Sequence, residues 1–168
     1  MGKRTKQDFQ RREKDFYGTI DPDAVKPLIP FVRGLRYAEP CCGDGDLVDL
    51  LLCDAKCVWE NDIRKGKDAL ELTDLDLWEA EVTISNPPFS WPMLQPLLDH
   101  LPTLKPTWLL LPSDCFYNKR TAKYVDNCSD IVSVGRLYWM DNKVKGVDNY
   151  AWGRFINEKT KTTFHGRN

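Results

Sequence analysis

The tetrapeptide Asn86-Pro87-Pro88-Phe89 directly follows the apolar run Val82-Thr83-Ile84-Ser85. Consecutive prolines lack amide hydrogens and fix φ, so they stop a strand abruptly and hold a rigid turn. Such a turn presents a side-chain amide, a proline carbonyl and an aromatic face at the carboxyl end of a strand. An amide oxygen and a carbonyl can both accept hydrogen bonds from one amino group. The ring of Phe89 can stack on a flat heterocycle, a contact of about 1–3 kcal/mol per base. Together these residues suit a grip on the exocyclic amine of a purine, with Pro88 and Ser90 beside the bound group. The competing reading is an ordinary Pro-Pro turn with a core phenylalanine.

A second constellation is Glu39-Pro40-Cys41-Cys42-Gly43-Asp44-Gly45, between a predicted strand and a predicted helix. Glycines there let the backbone approach a ligand closely, and a helix start offers free amides. An acid at the strand end can hold a hydroxyl or an ammonium group. The third is Glu60-Asn61-Asp62 behind the next strand. An acid about twenty residues beyond a glycine-rich turn commonly binds ribose hydroxyls, because a carboxylate accepts both hydrogens. Asp62, followed by Ile63 as an apolar cover for an adenine ring, is preferred over Glu60. Asp74, with Leu75 behind it, is the candidate acceptor for an adenine amine, and Asp68 is the alternative.

These residues need a frame that brings strand ends together. Short apolar runs alternate with helical patterns: strands at 35–38, 56–59, 82–85 and 107–111, a short one at 69–72, and helices at 47–53, 91–101 and 118–127. Pro92 and Pro96 are expected to confine the regular part of the 91–101 helix. A short helix within 23–32 is expected to end near Pro30. Segments 131–139 and 150–156 form a final antiparallel pair joined by the polar loop 141–149. The alternation predicts an α/β protein with a mostly parallel sheet, whose ligands bind beyond the carboxyl ends of the strands. One tension remains. About nine residues separate the second and third strands, fewer than a parallel crossover needs. Either a helix is reduced to a turn or the third strand is vestigial.

A chain of 168 residues fits one domain. Its 42 % apolar and 29 % charged residues are the balance of a globular protein rather than a disordered one. The net charge of -1 means that any nucleic-acid contact must come from local patches. Candidates are the basic stretch 1–14, expected to be flexible or ordered only on binding, and the tail residues Arg154, Lys159, Lys161 and Arg167. No apolar run predicts a membrane span and no secretory signal is expected, so the six cysteines read as reduced thiols of a cytoplasmic protein. Neither the cysteines nor His100 and His165 have zinc-ligand spacing, and no metal is expected. His100 reads as a helix-end residue.

Taken in order, these residues resemble the class I S-adenosylmethionine-dependent DNA N6-adenine methyltransferases, especially the small phage and bacterial kind. In that family Asn-Pro-Pro-Phe is the catalytic motif, and the acid-Pro-x-x-Gly-x-Gly loop binds the methionine part of the cofactor. An upstream Phe-Tyr-x-Thr segment also lines the cofactor site, and Phe16-Tyr17-Gly18-Thr19 matches it. The resemblance covers roughly residues 15 to 112. It implies a Rossmann-like methyltransferase fold over 15–168 and S-adenosylmethionine as cofactor, with S-adenosylhomocysteine as its product. It also implies DNA as partner, in a bacterial or infected host cell. Phe16, Tyr17, Thr19, Glu39, Pro40, Cys41, Gly43, Gly45 and Asp62 would form the cofactor pocket. Asn86 Oδ1 and the Pro87 carbonyl would accept hydrogen bonds from the adenine amine, while Phe89 stacks on a base flipped out of its helix.

The chain departs from the family pattern in places. Gly18 stands inside the upstream motif, Asp21-Pro22 comes late, and Cys41 and Cys42 replace smaller or polar residues. No insertion is long enough to form a separate target-recognition domain. Sequence preference is therefore expected to be relaxed, carried by the loops 113–120 and 141–149 or by the second subunit of a homodimer. Lys119, Arg120, Lys143 and Lys145 are the candidate phosphate contacts in those loops, simple solvation being the competing reading. Other substrates compatible with the same motif are RNA adenine and a protein glutamine amide. The non-enzymatic alternative is a module that binds the cofactor or nucleic acid and supports another subunit.

Overall fold

The computed structural model describes residues 18–167, so the expectations for 1–14, Phe16 and Tyr17 lie outside the described residues. Seven strands form one sheet in the order β2-β1-β3-β4-β6-β5-β7. They are β1 Arg36–Glu39, β2 Lys56–Glu60, β3 Val82–Ser85, β4 Thr107–Pro112, β5 Cys128–Arg136, β6 Asn149–Phe155 and β7 Thr163–His165. The half β2-β1-β3-β4 is parallel. β6 runs antiparallel to both β4 and β5, and β7 adds a short parallel edge beside β5.

Period-two alternation gives the sheet two covered faces. Trp108 and Leu110 point into one cluster with Val82, Ile84 and Trp152. That side is roofed by α1 (Ile29–Val32) and α2 (Asp46–Leu51) through Val32, Leu47 and Leu51. Leu109 and Leu111 point to the opposite side, where α3 (Trp91–Leu104) sets down Leu94 and Leu98. Every residue of β3 is buried, as a central parallel strand requires. Burying each leucine of α3 contributes about 2 kcal/mol. That packing carries the helix through Pro96 and Pro102 instead of letting it stop early.

Three expectations are corrected. Residues 69–72 form no strand: Ala69–Glu71 is a 3-10 turn, whose start is capped by the Asp68 carboxylate accepting from the Leu70 amide at 2.9 Å. The preceding connection is too short for a crossover helix, and it holds only another 3-10 turn, Ile63–Lys65. Ala69, Leu72 and Leu77 instead pack against Leu97 and Leu101 of α3, and His100, inside α3, bonds the Leu72 carbonyl at 2.9 Å. β2 is thereby an edge of the sheet. Pro30 opens α1 rather than ending it, since the first turn of a helix needs no amide hydrogen there. The helix predicted at 118–127 is split into the 3-10 turn Lys119–Thr121 and α4 Ala122–Val125.

Candidate active site

The strand ends converge as the alternation implied. β3 is held between β1 and β4, with Ser85 opposite Leu109, and the Thr83 hydroxyl donates to Thr107 Oγ1 at 2.8 Å. The ladder ends where Pro87 and Pro88 remove two donors, which leaves Asn86 at the carboxyl edge. Its amide Nδ2 donates to Thr19 Oγ1 at 3.1 Å, across 67 residues of chain. Thr19 is buried, so this bond ties the upstream segment to the Asn-Pro-Pro-Phe turn and turns the oxygen end of the amide away from Thr19. Phe89 is half-buried and packs on an aromatic group from the β5–β6 end of the sheet. Its ring lies 5.8 Å from Tyr150 and 6.3 Å from Trp139, and those two rings are 5.0 Å apart.

β1 delivers Glu39 and Pro40 to the same edge. The glycine loop behind them has left-handed backbone at Gly43 (φ 56°) and Gly45 (φ 96°), which glycine adopts without the Cβ clash. Asp62 fastens this loop from the β2 side. Its Oδ2 accepts from the Gly43 amide at 3.1 Å, and its Oδ1 accepts from the Arg64 backbone at 2.9 Å and Nε at 3.0 Å. Arg64 reaches on to Asp44 at 3.2 Å. Burial opposes ionisation of Asp62, yet these hydrogen bonds from Arg64 and Gly43 together hold its carboxyl below the ordinary range.

Glu39 has the opposite electrostatics. Only 1 % of its surface is exposed, and its Oε2 is buried without a hydrogen-bond partner. Burial first, then the neighbouring charges of Glu60, Asp46 and Asp62, push its carboxyl well above the ordinary range, opposed by Lys65. Burial also pushes the Cys41 thiol up to about 12, with the nearby Ser85 hydroxyl opposing it. The Cys42 thiol is raised by burial too, although Lys65 Nζ approaches its sulfur at 3.2 Å. None of the six cysteines is in a disulfide. No group of three or more His, Cys, Asp or Glu side chains is gathered for a metal among the described residues, and no described helix is long and apolar enough to cross a membrane.

A cleft of about 710 Å³ connects these groups. Of the residues singled out from sequence, Thr19, Glu39, Pro40, Cys41, Gly43, Asp62, Ile63, Asn86, Pro87, Pro88 and Phe89 line it. Gly45 lies just outside, starting α2. Asp74 and Leu75 do not line it: Leu75 is 84 % exposed, because the segment folds as turns rather than as a strand pointing at the cleft. Asp68 with Ala69 and Leu70 takes that wall instead. Ser90 sits at the start of α3 without lining the cleft. Gly18 borders it against the Asp46 carboxylate, which leaves no room for a Cβ unless that side chain moves.

The loop cations are dispersed. Lys145 pairs with Asp23 at 2.9 Å and, with Lys26, draws that carboxyl down to about 2. Arg120 lies over the Trp91 ring at 4.9 Å, and Lys119 and Lys143 are exposed. Sequence reasoning missed Arg64 and the α3 wall of Pro92, Met93, Pro96 and Leu97. The apolar residues immediately after Ser90 were the available signal for that wall, whereas nothing in the sequence tied Arg64 to the glycine loop.

No protein-family model matches the chain, and no curated protein matches it. The fold is α/β and Rossmann-like, with a mostly parallel sheet and an antiparallel pair. Among solved structures, the modification subunit of a candidate type I restriction enzyme from Vibrio vulnificus YJ016 aligns with a TM-score of 0.53 and 13 % identity, over 93 % of this chain and 48 % of that one. A candidate class I S-adenosylmethionine-dependent methyltransferase from Listeria monocytogenes aligns with a TM-score of 0.48 and 13 % identity, over 86 % and 62 %. A candidate RNA methyltransferase from Pyrococcus horikoshii aligns at 0.45 and 17 %, over 82 % of each chain. The chain thus spans 62 % and 48 % of the length of the Listeria and Vibrio proteins. At such identities the likeness is one of fold.

Proposed function

We propose that the chain transfers the methyl group of S-adenosylmethionine to the exocyclic N6 amine of adenine in DNA. The observation that carries this reading is the Asn86 amide, held at the carboxyl end of β3 by Thr19 beside Pro87, Pro88 and Phe89. A purely structural Pro-Pro turn has no need of an amide oriented from a residue 67 positions away.

The residues present fit the cofactor. A buried carboxylate with an orphaned oxygen, Glu39, is costly unless a cation or donor meets it, and an ammonium group does so. Asp62 spends three acceptor positions on Gly43 and Arg64, and a carboxylate has about four, so capacity remains for a ribose hydroxyl. Ile63 and Leu70 supply apolar surface for an adenine ring, with Asp68 as acceptor for its amine. The cleft volume of about 710 Å³ falls within the ordinary range for small-molecule sites. When bound, the cofactor supplies an electrophilic methyl group on a sulfonium centre.

The chain's own part is orientation. Asn86 Oδ1 and the Pro87 carbonyl accept the two amine hydrogens, which favours a more tetrahedral nitrogen with a localised lone pair. Alignment of that nitrogen replaces a bimolecular encounter by a positioned one. No strong base is required, because the nitrogen becomes acidic only after it has been methylated. Phe89, backed by Tyr150 and Trp139, offers a ring for the target base, and this favours a base over a glutamine amide as substrate. Lys119, Arg120 and Lys143 are the phosphate contacts in this reading.

The test uses tritiated S-adenosylmethionine with unmethylated duplex DNA, single-stranded DNA and bulk RNA in parallel. Label recovered as N6-methyl-deoxyadenosine supports the reading. Label confined to RNA moves the substrate to RNA, and cofactor binding with no transfer to any of the three removes the nucleic-acid substrate.

A further inference from the structure

Beside the cleft, the loop that follows β4 is built to hold one large ring out in solvent. β4 runs parallel to β3 in register, so Ser113 leaves the sheet at the same edge as Asn86. Cys115 and Phe116 turn inward and join the cluster that also receives Phe89 and Trp91. The backbone between them is pinned by its own hydrogen bonds. Asn118 Nδ2 donates to the Asp114 carbonyl at 2.8 Å, the Tyr117 amide donates to the same carbonyl at 3.1 Å, and Thr121 Oγ1 donates to the carbonyls of Asn118 and Cys115. Tyr117 is nevertheless 80 % exposed. A tyrosine on such a fixed loop loses little freedom on binding, since only two side-chain torsions remain to be ordered.

Three residues further on, the Arg120 guanidinium sits 4.9 Å from the centre of the Trp91 ring, and Trp91 opens the helix directly behind the Asn-Pro-Pro-Phe turn. Stacking on the indole holds the guanidinium over the ring, and it keeps its hydrogen-bond donors for an anion. One fixed exposed ring and one positioned guanidinium, on a loop packed through Cys115 and Phe116 into the same cluster as Phe89 and Trp91, match a nucleotide outside a double helix, whose base has a free π face and whose phosphate can meet a cation. A base stacked inside a duplex offers neither face.

We infer that Tyr117 and the Trp91–Arg120 pair form a platform for the nucleotide next to the target, and that the strand acted on is single-stranded. This rests on the nucleic-acid reading of the site, and the experiment separates the two. Fluorescence anisotropy with the full chain, saturated with S-adenosylhomocysteine, compares a labelled single-stranded DNA, the same sequence as a duplex, and a single-stranded RNA. Wild-type protein is expected to bind single-stranded DNA about tenfold or more tighter than duplex. Tyr117→Ala is expected to lose about tenfold of that affinity, the scale of one base–aromatic stack, while Tyr117→Phe retains it. Arg120→Ala is expected to weaken binding and flatten its salt dependence. Calorimetry should give the same S-adenosylhomocysteine affinity for all variants, which excludes misfolding as the cause. Unchanged affinity in Tyr117→Ala, or duplex bound as tightly as single strand, overturns the platform while methyl transfer to DNA leaves the parent reading standing. Cofactor binding with no affinity for any oligonucleotide overturns both, and a preference for RNA keeps the platform but reassigns the strand.

Discussion

At the residue scale, two carboxylates on neighbouring strand ends have been driven in opposite directions. Asp62 is satisfied by three donors and stays ionised, whereas Glu39 is buried with an orphaned oxygen and holds its proton above the ordinary range. The folded state therefore binds more protons than the unfolded chain between the ordinary glutamate pKa and the raised one. Stability without cofactor falls as pH rises through that window and levels off above it. Glu39→Gln should flatten this dependence, as read by thermal melts across pH. The cofactor carries positive charge, so its affinity should rise with pH over the same window; calorimetry showing a pH-independent affinity would remove Glu39 from the cofactor site. Asn86→Ala should reduce methyl transfer by a factor of about 10² or more, as losing one oriented acceptor in a transition state does, while cofactor affinity stays near wild type. A variant that methylates normally would remove Asn86 from the catalytic site.

At the scale of elements, the glycine loop is the part most sensitive to its own backbone. Gly45 starts α2 with φ 96°, and its surroundings leave space for a side chain, so a substitution there is penalised by conformation alone. Gly45→Ala should cost about 1–2 kcal/mol. For a domain of this size that lowers Tm by several degrees, about 2–4 °C per kcal/mol, measurable by calorimetry. Gly18→Ala acts differently, since its new Cβ meets the movable end of Asp46 and not backbone. The loop's position also depends on β2, because Asp62 and the Asn61 carbonyl hold Gly43 and Cys42. A motif spread over two strand ends is thus one mechanical unit, and Asp62→Ala should loosen it as well as weaken cofactor binding.

At the scale of the whole molecule, the upstream segment is anchored far from its own sequence neighbours. Trp152 of β6 is fully buried, and its indole donates to the Ala24 carbonyl at 2.7 Å. Asp21 reaches the Tyr138 amide at 3.2 Å on the strand-pair side. Trp152→Phe leaves that carbonyl without its donor and should destabilise the fold by about 1–3 kcal/mol, with a matching fall in the denaturation midpoint. Excess cofactor should stabilise the molecule, by about 2.7 kcal/mol at a hundredfold excess over Kd, so a Tm shift with S-adenosylhomocysteine is an early check on the pocket. The sequence by itself determined the α/β class, the strand ends that matter and most of the cleft lining. Period-two apolar runs, paired prolines and positive-φ glycines act through local sterics and can be read along the chain. What only the tertiary structure decided are the groups defined by distant partners: the Thr19–Asn86 bond, the isolation of Glu39, the clasp of Arg64 and Asp62 on the glycine loop, and the choice of Asp68 over Asp74 as the cleft wall. The residues at 69–72, Ala-Leu-Glu-Leu, offer a short apolar run but no β-branched or aromatic side chain. They became a turn because the crossover before them is too short and α3 offered their side chains a place to bury, and both facts belong to the assembled fold.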